Sequence, residues 1–230
     1  MPEGLAWLVT ATALTATQLL IVRHHPEPDD ITPDVEHKPR YAAMVGPRMI
    51  VGCLLVAAAA SALAIAMPPA ARPVWVAWGS SVMVLVVVDA RSTWLPARAT
   101  ILAGASVVTG LAAGALITPT GALPHLLHAG VGSLVAGLLF ALLWWTSGSL
   151  GFGDVWLAAM VGGLSAAMSP GFWYVSLFAG SAAAAAWGGV TMLLRRRRPS
   201  PLGTVFAYGP GLWLGPYCAL AWTTLPGVSP

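Results

Sequence analysis

Runs of about 20 apolar residues recur along this chain, and no other property restricts its fold so strongly. A helix needs about that many residues to cross the hydrocarbon of a bilayer. Backbone polar groups there have no water to bond, so each run must satisfy them internally, as a helix does. Eight candidate segments are read, at residues 4–22, 49–67, 73–88, 99–118, 125–145, 154–168, 171–194 and 204–225. The third and sixth, at about 15 residues, are short for a full span and are expected to begin or end in a water-accessible recess. Composition agrees. Of 230 residues, 57% are hydrophobic and 8% charged, where a water-soluble domain carries about 25% charged side chains. The expected fold is an all-α, polytopic transmembrane bundle of about eight spanning helices, a single membrane domain over residues 1–230.

Pro and Gly mark the connections, at Pro68-Pro69, Thr118 to Gly121, Ser147 to Ser149, Ser169 to Gly171 and Pro199 to Pro201. One connector is long. Residues 23–48 hold Glu27, Asp29, Asp30, Asp34 and Glu36 among several prolines, a composition expected of a solvated, poorly ordered acidic loop. Alternating eight helices across the bilayer puts Arg23, Lys38, Arg40, Arg48, Arg91, Arg98 and Arg195 to Arg198 on one side, ten of the eleven basic residues, and leaves Arg72 on the other. Basic loops mark the cytoplasm, so the acidic loop is expected there and both termini outside it. Only Glu3 precedes the first apolar run, the reverse of a secretory leader's order, so that run is read as a retained anchor. Cys53 and Cys218 lie far apart inside apolar runs and build neither a disulfide framework nor a zinc knuckle.

Ala57 to Ala60, Ala182 to Ala186 and the helical glycines permit close helix approach. Trp7, Trp75, Trp144, Trp145 and Trp222, near segment ends, are read as interfacial belts. Setting aside Glu3 and the five acidic residues of the loop leaves Asp89 and Asp154. Asp89 follows an unbroken Val82 to Val88 run, and Asp154 opens the sixth segment in Gly151-Phe152-Gly153-Asp154-Val155. An ionised Asp at a bilayer centre costs roughly 2.5 to 3.5 kcal/mol, so such residues point to function. Both fall at the cytoplasmic face, where two carboxylates sharing a proton suit aspartyl proteolysis. A helix N-terminus suits a carboxylate and a C-terminus a neutral acid, so Asp154 is expected as the initial base and Asp89 as its proton-carrying partner. The plainer alternative makes Asp154 a helix cap and Asp89 an interfacial residue paired with Arg91 or Arg98.

Three stretches resemble the type IV prepilin peptidases, GxGD-type intramembrane aspartyl proteases. Asp89 to Pro96, an Asp followed by a basic, polar stretch and Leu-Pro, is similar to the family's first active-site segment. Gly151-Phe152-Gly153-Asp154-Val155 is similar to the second, and Ala207-Tyr208-Gly209-Pro210-Gly211-Leu212 to a third at the last helix. The resemblance covers residues 74–225. It implies an enzyme of the inner (cytoplasmic) membrane that needs no metal or organic cofactor. It implies that Asp89 and Asp154 cut the short basic leader from prepilin or pseudopilin precursors after a Gly, with Gly151, Gly153, Arg91, Pro96, Trp156, Gly209 and Pro210 shaping the site or meeting substrate. Two departures stand out. Trp156 occupies a position where many relatives have Lys, leaving Arg91 or Arg98 as substitutes, and the 23–48 loop lacks the two Cys-x-x-Cys pairs of bifunctional relatives. Peptidase activity is expected without the zinc module, and N-methyl transfer is not supported.

The readings from another class are a proton-coupled transporter and a degenerate scaffold for pilus assembly. A transporter is expected to place ionisable groups near the midplane in paired repeats, and neither feature occurs. The presenilin-like branch has Tyr before its first Asp, where this chain has Val88. Arg195 to Arg198 reads as a topology anchor facing anionic lipid, with no nucleic acid as partner. His24, His25 and His37 read as solvated loop residues, and His125 and His128 share a helix face on the side away from the aspartates. The loop's carboxylates are expected to attract a basic leader, raising its rate of encounter.

Overall fold

A computed structural model describes residues 3–27, 39–118, 121–147, 150–197 and 206–224. Among these residues all regular structure is helical. The elements are α1 (Glu3–Arg23), α2 (Tyr41–Met44), α3 (Pro47–Ile65), α4 (Arg72–Ala77), a wide π turn (Trp78–Val82), α5 (Met83–Ser92), α6 (Ala97–Ile117), α7 (Ala122–Ser147), α8 (Phe152–Ala166), α9 (Pro170–Arg197) and α10 (Gly209–Thr223). α4, the π turn and α5 form one continuous rod, Arg72–Ser92. Among the described residues six helices are long and apolar enough to cross a membrane, and α8 is a shorter apolar one. The chain is an all-α, multi-pass membrane bundle.

The Arg72–Ser92 rod is its axis. Of its apolar stretch 83% is buried, against 22–39% in the other five long helices, whose outer faces therefore carry the lipid contact. α1, α3, α6 and α10 pack around it. Missing side chains permit the approach: a Cβ on Gly79 would stand 2.1 Å from the Ala60 Cβ, and one on Gly110 2.7 Å from the Val74 Cα. The hairpins α7–α8 and α9–α10 close in the same way. A Cβ on Gly162 would meet the Gly132 carbonyl at 2.3 Å, and one on Gly211 the Ala184 amide nitrogen at 2.2 Å. Dispersion at such short separation binds helices that gain nothing from leaving water.

Several boundaries differ from the sequence expectation. The third segment is no short span: it holds 21 residues, because Asp89, Ala90, Arg91 and Ser92 continue the helix past the apolar run, with Asp89 and Ser92 buried and Ala90 and Arg91 exposed. The sixth is short as expected, at 15 residues. The eighth, expected over 204–225, shrinks to the 15 residues of α10, since Gly209 and Pro210 start the helix and residues 206–208 precede it. The long connector is not wholly solvated: α2 lies within it, with Tyr41, Met44 and Val45 buried. Trp75 belongs to no belt; it is 1% exposed and packs edge-on against Phe172 and Tyr217. Asp29, Asp30, Asp34, Glu36, His37 and Lys38 lie outside the described residues, as do the connections at 119–120, 148–149 and 198–205.

Candidate active site

Asp89 sits in the last turn of α5 and is 4% exposed. Its Oδ2 accepts a hydrogen bond from the Gly209 N–H at 2.9 Å. Gly209 is the first residue of α10, so an otherwise unpaired N-terminal amide of one helix meets a carboxylate carried by another. The fit is close: a Cβ on Gly209 would lie 2.6 Å from that same oxygen and 3.1 Å from Leu157 Cδ1. Leu157 stands one turn beyond Asp154 on α8. Asp154, 7% exposed, occupies the first turn of α8, and its Oδ2 accepts the Gly151 N–H at 3.1 Å. The Asp89–Gly209 contact therefore packs against the helix whose first turn carries Asp154.

The turn after α5 carries the first motif back onto the second. Thr93 ends the helix in the left-handed region, φ 58°, and its N–H donates to the Asp89 carbonyl at 2.7 Å. Trp94 N–H donates to Ser92 Oγ at 3.2 Å, and Pro96 caps α6 with its carbonyl accepting from the Thr100 amide at 2.9 Å. Between them Leu95 reaches α8, where a Cβ on Gly153 would stand 2.5 Å from Leu95 Cδ1. Gly153 is thus needed as a glycine. Gly151 is not: its φ is ordinary, and an added Cβ would come no nearer than 3.6 Å to Asp154 Oδ2, so its contribution is the N–H. Pro210 fixes the first turn of α10 behind Gly209.

The plainer reading holds in part. Asp154 is not the N-cap but reaches back three residues to bond the Gly151 amide, as a capping carboxylate does. Asp89 pairs with neither arginine: Arg91 Nη1 donates to the Met44 carbonyl at 3.2 Å, and among the described residues the ion pair is Arg72 with Glu3, away from the aspartates. Arg91 therefore ties the connector's buried segment to the end of α5. That segment closes on itself, with Tyr41 N–H donating to Glu27 at 2.8 Å and the His25 and Tyr41 rings edge to face at 5.4 Å. Burial first, and the Glu27 charge second, push the Tyr41 hydroxyl up to about 12, which excludes it as a base. Asp154 lies in the first turn of a helix and Asp89 in the last turn of one, as expected, but Asp89 also accepts the N–H at the start of α10, so helix ends alone do not separate base from acid.

Trp156, half exposed, lines a cavity of about 740 Å³ between α6 and α8. Leu95, Ile101, Val108, Phe152 and Met160 also line this cavity, which is apolar and adjoins the Leu95–Gly153 seam. Nothing in the sequence signals the Leu157 contact, and Thr93 and Leu95 fall within the Asp89 to Pro96 stretch without any mark of the left-handed turn of the one or the α8 contact of the other. Among the described residues no three His, Cys, Asp or Glu side chains gather as metal ligands. The chain matches no family model, no curated protein sequence and no solved structure.

Proposed function

We propose that this chain is an intramembrane aspartyl endopeptidase of the prepilin peptidase type, removing the short basic leader from prepilin-like or pseudopilin-like precursors. One observation carries the reading: two buried aspartates, distant in sequence, converge at one end of the bundle, each held by a backbone N–H at a helix start. Only one of two such carboxylates holds a charge comfortably, so the pair shares a proton. The ionised member takes a proton from a water as its oxygen attacks the scissile carbonyl carbon, and the protonated member gives its proton to the carbonyl oxygen. The resulting diol collapses: the C–N bond breaks, the leaving nitrogen gains the proton taken from water, and a diol hydroxyl returns its proton to the other carboxylate. Atoms balance as hydrolysis of one peptide bond. Gly209 and Gly151 hold the carboxylates in place by their N–H groups, so little reorganisation is needed in the transition state.

The distribution of basic residues supports a cytoplasmic site, with both termini on the far side, in a cytoplasmic membrane. Substrate peptides and the surrounding lipid are the partners of this reading. The test is cleavage of a co-expressed prepilin-type substrate in membranes by wild type, Asp89→Asn and Asp154→Asn at equal protein level. Both Asn variants are expected to lose cleavage by about 1,000-fold or more, as when one member of a coupled catalytic set is removed. Cleavage at the wild-type rate by either variant removes that aspartate from the chemistry and returns the chain to a transporter or scaffold.

A further inference from the structure

The rod that carries Asp89 is joined to α10 a second time, deep in the bundle. Trp78 opens the π turn, and its indole N–H donates to the Trp213 carbonyl at 3.2 Å while the Trp213 indole N–H donates to the Trp78 carbonyl at 3.1 Å. The exchange is reciprocal, a pairing of side chain and backbone across two helices, and Trp78 is completely buried. Trp213 lies one helical turn after Gly209, about 6 Å along the axis of α10. Its depth on the rod and the depth of the Gly209 amide are therefore set together.

The wide turn matters to the direction of Asp89. A π turn accommodates an extra residue, and each residue of an α-helix advances the side chains by about 100°. Closing this turn to α geometry would swing everything after it, Asp89 included, off the start of α10. α3 obstructs that from the far side, where Gly79 meets Ala60 with no room for a Cβ, and Trp213 obstructs it from α10. Tyr217, a turn further on, packs on both Trp213 and Trp75 with ring centres 4.8 and 5.4 Å apart.

We infer that Trp213 and Trp78 are positioning residues: their reciprocal bonds fix α10 and the π turn in the register at which the Gly209 N–H meets the Asp89 carboxylate. The effect on turnover rests on the peptidase reading; the effect on geometry does not, and a spectroscopic measurement separates them. Tyr208-Gly209 is the one Tyr-Gly pair in the chain. Carbonyl-13C tyrosine with 15N glycine thus isolates the Gly209 amide in a triple-resonance spectrum of the full chain in detergent micelles. In Asp89→Asn that signal shifts as the carboxyl acceptor is replaced by an amide. Trp213→Phe, which keeps a ring and removes the N–H, is expected to shift the Gly209 amide in the same direction, and Trp78→Phe to do so independently should the first variant fold poorly. Trp222→Phe, an exposed ring on the same helix, is expected to leave it in place. In cleavage assays Trp213→Phe lowers kcat about tenfold with KM nearly unchanged, since it disturbs the placement of Asp89 and not substrate contact. A Gly209 amide unmoved in both Trp213→Phe and Trp78→Phe, or moved equally by Trp222→Phe, overturns the inference. Lack of cleavage by wild type overturns the peptidase reading alone and leaves the amide shift to decide this one.

Discussion

Gly209, Gly153 and Gly151 border the two aspartates, yet added methyl groups would meet very different surroundings. At Gly209 the methyl would displace the Asp89 carboxylate itself, at Gly153 the whole Leu95 side chain, and at Gly151 nothing closer than ordinary contact. Cleavage rates at equal protein level should therefore fall in that order: about 100-fold for Gly209→Ala, about tenfold for Gly153→Ala and less than about threefold for Gly151→Ala. Equal losses at all three would show that glycine acts here through backbone freedom, not space. Thr93 offers the opposite experiment. A β-branched residue in the left-handed region pays about 1–2 kcal/mol that glycine does not, part of which glycine gives back in chain entropy. Thr93→Gly should raise the thermal midpoint in detergent, by about 0.5–1 kcal/mol of stability, and an unchanged or lower midpoint would mean the Thr93 hydroxyl contributes more than its backbone costs.

At the level of helices, the apolar runs located the spans because hydropathy reports exclusion from water. It does not report whether protein or lipid does the excluding. For that reason hydropathy ends the third span at Val88, short of the end of α5, and places Trp75 in a belt although it lies in the core. Gln18 shows the same blind spot. The one amide side chain in the α1 run, it is fully buried and donates to the Ala99 carbonyl at 2.7 Å, clamping α1 to the start of α6. The π turn left no mark in the sequence at all, since its register comes from Ala60 and Trp213 on other helices. The aspartate pair was legible for the contrary reason: charge is so scarce in this chain that two acidic residues beside apolar runs stand out. The α7–α8 seam is where packing can be tested most directly. Gly162→Val would push a side chain into the Gly132 backbone, which has no rotamer to yield, and should cost about 3 kcal/mol, read as a lower unfolding midpoint in detergent.

For the whole molecule, the two helices whose N-terminal amides hold the carboxylates, α8 and α10, have only 15 residues each. At 1.5 Å per residue they span about 22 Å, some 8 Å less than a hydrocarbon layer of about 30 Å. Hydrophobic mismatch of that size draws the lipid headgroups inward beside those helices. If water reaches the aspartates through such thinned lipid rather than through a channel in the protein, bilayer thickness becomes a determinant of rate on the peptidase reading. Reconstituted in vesicles of increasing acyl-chain length, the chain should cleave more slowly as the bilayer thickens, while cleavage in detergent stays unaffected; a rate independent of chain length would place the water route inside the bundle. On the peptidase reading, a chain built this way would answer to the thickness of the membrane in which it sits, and lipid composition would set how fast it works.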